Sequence, residues 1–195
     1  MGKTYDTLDD RLIQFIQSQK MFFVATAPLD ASGHVNVSPK GLDTFVFLGD
    51  DTVAYLDLGG SGIETQAHVQ ENGRITIMFC AFDGKPYILR LYGVGKAIDF
   101  DHPEFESMLQ HFPGTERARA VIQVKITRIQ DSCGWGVPLY EFVGDREQLT
   151  DWSDKPFDQW KEKRYKNNAE SIDGLPGLNG SPGLNGSPGL SGPQT

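Results

Sequence analysis

Apolar and polar residues alternate along most of the chain in short runs, the period of half-buried strands, and helical spacing interrupts them in four places. Thr7 to Gln19 comes first, with Leu8, Leu12, Phe15 and Ile16 at i, i+4, i+7 and i+8 making one apolar face. Strand-like runs follow: the nearly continuous apolar Met21 to Ala27, then Val35 to Ser38, which Pro39-Lys40-Gly41 interrupts. Phe45 to Leu48 and Thr52 to Leu58 flank Gly49-Asp50-Asp51, which is hairpin chemistry. Arg74 to Phe79 and Tyr87 to Ile98 join through Asp83-Gly84-Lys85-Pro86, and Gly93 and Gly95 share a face where another element can approach closely. Ala120 to Ile129 alternates, with Ile122, Val124 and Ile126 on one face and Gln123, Lys125 and Thr127 on the other. The remaining helices are Glu64 to Asn72, stopped by Gly73, and Pro103 to His111, capped by Asp101 with Phe105, Met108 and Leu109 inward. The last, Ser153 to Asn168, carries Phe157, Trp160 and Arg164 on one face. Its cations Lys161, Lys163, Arg164 and Lys166 complement the helix dipole. Many short antiparallel strands with peripheral helices predict a mainly β fold, a small barrel.

Composition narrows what such a barrel can do. With 195 residues, 38% of them hydrophobic, the chain can bury one substantial core. A net charge of −8 argues against nucleic-acid and anionic-membrane partners, which favour basic surfaces. No run approaches the ~20 apolar residues of a membrane span. The polar N-terminus reads as no signal peptide, and two cysteines, Cys80 and Cys133, suit a reducing cytoplasm. From Gly174 to Gly192 glycine recurs at every third position, with Pro176, Pro182 and Pro188 in the third place of their triplets. Seven triplets are few for a triple helix, so the tail is expected to be extended or disordered. The chain thus divides into a barrel (1–145), a helical extension (146–172) and a repeat tail (173–195).

The chemistry concentrates at Gly59-Gly60-Ser61-Gly62-Ile63-Glu64-Thr65, which joins a strand to a helix. Two readings stand. Ser61 and Glu64 fit a capping box, and flexible backbone at a helix N-terminus also suits a phosphate. The four histidines show no metal spacing, no nucleophile elbow occurs, and His68 falls on the solvent face of its helix. A chain without a strong nucleophile or metal, yet with a phosphate pocket, borrows reactivity from a cofactor. The Val35 to Ser38 strand places Asn36 and Ser38 on one face with Lys40 just past its end. That set suits a flavin ring, which needs donors along one edge and a cation beside its N1/O2 side, and Lys40 taken alone reads equally as a solvated turn lysine.

The ordered series Met21-Phe22-Phe23-Val24-Ala25-Thr26, Val35-Asn36-Val37-Ser38-Pro39-Lys40-Gly41, Ala54-Tyr55-Leu56-Asp57, the Ser61 helix, Arg74 to Phe79 and Leu89-Arg90-Leu91-Tyr92-Gly93 carries a resemblance. Over about residues 5 to 130 the chain resembles the pyridoxamine-phosphate-oxidase-like, FMN-binding split-barrel family. Cys133 to Pro138 and Ser171 to Leu178 look like a bacterial branch of it. The resemblance implies a homodimer with two FMN molecules in clefts between subunits, acting on a small-molecule substrate. Carried over by motif, Asn36, Val37 and Ser38 run beside the ring and ribityl chain, and Lys40 lies toward the substrate. Asp57, Ser61, Gly62 and Thr65 surround the phosphate, and Arg90 faces the flavin edge, in one arrangement from the partner subunit. Trp135, in a glycine-rich loop, is either a ring cover or a core or interface anchor. The true oxidases have basic residues where this chain has Asn36, Gly62 and Ile63, and they end in an arginine-containing substrate segment instead of a Gly-X-Y tail. The expected function is an FMN-dependent oxidoreductase of this family. The alternative is a non-catalytic flavin- or haem-binding dimeric module.

Overall fold

The computed structural model describes residues 2–113, 118–148 and 156–178. Its eight strands are β1 (Thr4–Tyr5), β2 (Phe22–Thr26), β3 (Asn36–Lys40), β4 (Phe45–Phe47), β5 (Thr52–Asp57), β6 (Arg74–Cys80), β7 (Ile88–Asp99) and β8 (Ala120–Ser132). They form one antiparallel sheet in the order β3-β2-β6-β7-β8-β5-β4, with β1 pairing on β8. Helices α1 (Asp10–Ser18), α2 (Glu64–Asn72), α3 (Phe105–Leu109) and α4 (Phe157–Asn167) pack around it.

The sheet curls until its two edges nearly meet, and side chains close the seam. The Phe22 ring of β2 lies 5.3 Å from Phe45 of β4 and 5.6 Å from Tyr55 of β5. Hydrogen bonding stops at β3 and β4, so the barrel is split there. The inward positions Val24, Ile77, Leu89, Leu91, Val53, Ile122 and Val124 are buried together with Leu12 and Ile16, the apolar stripe of α1. That alternation is the period-two pattern read in the sequence. A second core covers the opposite face of β5 and β8, where Leu56, Ile98 and Val121 meet Phe105 of α3, Trp160 of α4 and Leu178.

Both glycines singled out in β7 are close approaches. A methyl group at Gly93 would stand 2.5 Å from the Lys125 carbonyl oxygen, at the register shift between Tyr92 and Gly93. At Gly95 it would meet Val69 of α2 at 3.1 Å. Gly73 ends α2 at φ 71°, returning its N–H to the Val69 carbonyl as a C-terminal stop requires.

Several expectations are corrected. The strand starting at Val35 is not interrupted at Pro39: β3 runs through Lys40, because proline is tolerated on an edge strand whose outer N–H has no ladder partner. Lys40 therefore shares the inward face of Asn36 and Ser38. The opening helix starts at Asp10, with the Asp9 carboxylate accepting from the Leu12 N–H. Asp101 does not cap α3, whose first turn has no side-chain cap. Its carboxylate instead takes Lys161 at 2.7 Å and the Tyr165 hydroxyl. The capping box does not form either. Ile63 is the N-cap of α2 without a side-chain bond, and Glu64 accepts from the Ile172 N–H. Residues 153–155 of the expected last helix and the tail beyond Leu178 lie outside the described residues.

Candidate functional site

The β5–α2 connection carries the glycine segment, and two arginines that sequence reasoning did not assign to it stand behind it. Arg164 of α4, 3% exposed, donates to the carbonyl oxygens of Gly59 at 2.6 Å and Gly60 at 2.7 Å. Arg119, also 3% exposed, donates to Gly62 O at 2.8 Å and to the Asp57 carboxylate at 2.6 Å. Charged donors thus hold the loop's carbonyls from behind, the Gly59 N–H turns back to Asp57 Oδ1 at 3.4 Å, and two buried guanidiniums stand under a segment rich in backbone amides. Asn168 adds a bond to the Ser61 carbonyl at 3.1 Å. Arg164 stands in the last turn of α4, as the dipole reading has it, and in addition reaches the loop. The signal was its place one turn after Trp160, on the face that packs inward. Nothing in the pattern around Arg119 marked it.

Asp57 is 2% exposed and bonds to Arg119, with Lys40 Nζ at 3.4 Å. Burial alone would raise its pKa, but the charges of Arg119 and Lys40 outweigh that and hold the carboxyl well below the ordinary carboxylate range. Tyr55 lies fully buried beneath this group, and Lys40 Nζ sits 5.9 Å from its ring centroid. Burial pushes its hydroxyl well above the ordinary value, so the phenol stays protonated. The Tyr55 hydroxyl lies against the Thr65 side chain, and the buried Arg119 Nε has no hydrogen-bond partner among the described residues.

A polar chain links β3 to α2. Ser38 Oγ donates to Asn36 Oδ1 at 3.2 Å, and Asn36 Nδ2 donates to Thr65 Oγ1 at 2.9 Å and Thr26 Oγ1 at 3.3 Å. Thr26 Oγ1 meets His68 Nδ1 at 3.0 Å. His68 is fully buried, contrary to the solvent-face reading, because α2 turns that side against β2. Burial lowers its pKa, which favours the neutral ring against Thr26.

Asn36, Val37, Ser61 and Gly62 come together on one cleft of about 620 Å³, with His34, Glu64 and residues 170–172 on its walls. Its rim is pinned by Asp173, whose carboxylate takes the His34 ring at 2.6 Å and backbone N–H at 2.8 Å. Thr65 and Ser38 adjoin this cleft through their bonds to Asn36, whereas Asp57 and Lys40 do not line it. Arg90 stands apart. It lies on the outer face of β7, in the cross-strand row Pro39–Phe23–Met78–Arg90, and donates to Ser132 Oγ at 3.0 Å. Trp135 is exposed, as is Cys133. No group of metal-ligating side chains occurs among the described residues.

Set beside known proteins, residues 8–133 match the family model described as pyridoxamine 5'-phosphate oxidase. The chain belongs to the pyridoxamine 5'-phosphate oxidase family. A relative in the same family, the pyridoxamine 5'-phosphate oxidase family protein ustO of Aspergillus flavus, is 38% identical over 193 residues, covering 90% of this chain and 77% of that protein. Among solved structures, Group A Streptococcus HupZ superposes with a TM-score of 0.51 at 21% identity, over 68% of this chain and 98% of that one. A candidate pyridoxamine 5'-phosphate oxidase from Lactobacillus delbrueckii gives 0.50 at 17%, over 65% of this chain and 98% of its own. These structures share the split-barrel fold of the family. In this member the extension from α4 to Leu178 is built onto the barrel, and it supplies Arg164 to the glycine loop. No helix among the described residues is long and apolar enough to cross a membrane.

Proposed function

We propose that this chain is an FMN-dependent oxidoreductase that works as a homodimer on a small molecule. In this reading Ser61, Gly62 and Thr65 hold the flavin phosphate, while Asn36, Val37, Ser38 and Lys40 run beside the ring and ribityl chain. The single observation that carries it is the pair of guanidiniums behind the glycine loop. They place positive charge under the loop, in the role that basic residues have in the true oxidases, and hold its carbonyls away from an anion. FMN, when bound, supplies hydride chemistry that no side chain of this protein has. Lys40 then serves as the cation beside the ring, and Asp57 holds it in place.

A second subunit is supported by the outer sheet face. There Val37 is 61% exposed, and Phe23 and Met78 are half-buried in the cross-strand row that includes Arg90. Arg90 lies three strands from β3, so it can face a flavin edge only across such an interface.

The second reading, a module that holds its ligand without turnover, is favoured by Glu64 and Glu170, which put carboxylates on the wall of the same cleft. One experiment separates the two. FMN titrated into dialysed protein should show saturable quenching of flavin fluorescence at one flavin per chain, and a nicotinamide donor should then bleach the flavin bands until an acceptor restores them. Saturation without bleaching selects the module, and absence of saturation removes both flavin readings.

A further inference from the structure

β3 borders two cavities. Its Asn36–Val37 end faces the polar cleft described above, and its Pro39–Lys40 end opens on a second cavity of about 480 Å³. We infer that this second cavity is the reactant site, and that it takes a planar aromatic molecule of little net charge. This deepens the flavin reading and rests on it for what the bound molecule reacts with.

The volume falls within the range of small-molecule pockets, about 300–1,000 Å³. Its wall is aromatic and apolar: Met21, Leu42, Phe82, Tyr140 and Phe142 line it. Its charges balance, Lys20, Lys40 and Arg146 against Asp83, Glu141 and Asp145, so ring surface and not net charge is what the pocket selects. The far wall is an irregular segment, residues 139–146, which has no reason of its own to stand where it does. It is fixed by the Tyr140 N–H donating to the Phe82 carbonyl at 2.8 Å and by the Phe82 and Tyr140 rings at 5.6 Å. Lys20 Nζ, 5.7 Å from the Phe142 ring centroid, adds a contact from the α1–β2 turn.

The near wall is held in a conformation that side chains disfavour. Leu42 and Asp43 both lie in the left-handed region, at φ 62° and 51°, immediately after Lys40. Thr44 fixes this turn, its hydroxyl donating to the Gly41 carbonyl at 2.7 Å and its own carbonyl accepting from the Leu56 N–H at 2.9 Å. Two consecutive non-glycine residues in that region persist only where surrounding bonds over-determine them, and such strain collects at ligand sites. Here it sets Leu42 on the pocket wall beside Lys40.

The probe is N-phenyl-1-naphthylamine, an uncharged aromatic whose fluorescence rises in apolar sites, titrated into the full chain. FMN binding, molar mass by light scattering and thermal unfolding are measured on the same samples. The wild type should bind the probe saturably, with 2-naphthol displacing it and 1-octanol failing to. Phe142→Ser should weaken the probe about tenfold, roughly the effect of 1.4 kcal/mol of lost ring contact, with FMN affinity, mass and unfolding temperature unchanged. Because Phe142 is half exposed on an irregular segment, the variant is expected to fold. Unsaturable binding, equal affinity in the variant, or displacement by 1-octanol overturns the proposal. So does a change of mass in Phe142→Ser, which would assign the segment to an interface between copies. Failure of FMN to bind while the probe remains sensitive to Phe142 leaves the pocket standing and removes the flavin reading alone.

Discussion

Asp57 ends β5 at the point where the barrel core gives way to the glycine loop, and it meets Arg119 at 2.6 Å and Lys40 at 3.4 Å from opposite sides of the split. Because its folded pKa is depressed, its contribution to stability is present above the unfolded value near ~3.9 and is lost as pH falls through the lower folded value. Asp57→Asn should destabilise the fold at neutral pH by about 3–5 kcal/mol, because it leaves Arg119 buried beside a neutral amide. Denaturant unfolding measured across pH should show the gap between variant and wild type closing below about pH 4. A gap independent of pH would mean that the carboxylate charge is not what holds Arg119. At this scale the sequence was only partly legible. Asn36, Val37, Ser61 and Gly62 were grouped by the family resemblance, and they line one cleft. Arg119 and His68 were not readable, because their roles come from pairing across 62 and 42 residues, which no local period reports.

The strands were legible because each alternates against a buried face, and a shift of one residue would turn that face outward. The errors lie where a long-range partner competed with a local signal. Ser61 and Glu64 form a good capping box by spacing, but the segment at Ile172 takes the Glu64 carboxylate. Pro39 reads as a breaker until β3 is known to be an edge strand. The glycines of β7 were read correctly, since a strand seldom gives up a side chain unless another element comes close to its backbone. Gly93→Ala tests that reading: its new methyl group would stand 2.5 Å from a backbone oxygen of β8 and 2.6 Å from Val124. The strands must separate locally, so chemical unfolding should report a loss of about 1–3 kcal/mol. An unchanged midpoint would show that the two strands are not so close.

In the whole molecule, the extension from α4 to Leu178 does two jobs. It seals the second core through Trp160 and Leu178, and it reaches under the glycine loop with Arg164. Family membership was carried by the order of motifs along the chain, which survives when single residues change. The role of the extension was not, because it depends on how the last part of the chain folds back on a loop about a hundred residues earlier. If that buried charge serves an anion in the cleft, the protein must distinguish a phosphorylated flavin from a bare one. The direct measurement compares the affinities of FMN and riboflavin, which differ by the phosphate, in the wild type and in Arg164→Gln. The wild type should favour FMN by about tenfold or more, ~1.4 kcal/mol, and the variant should bring the ratio toward one while riboflavin affinity stays as it was. Equal affinity of the wild type for both flavins, or a parallel loss of both in the variant, would contradict a phosphate site backed by Arg119 and Arg164.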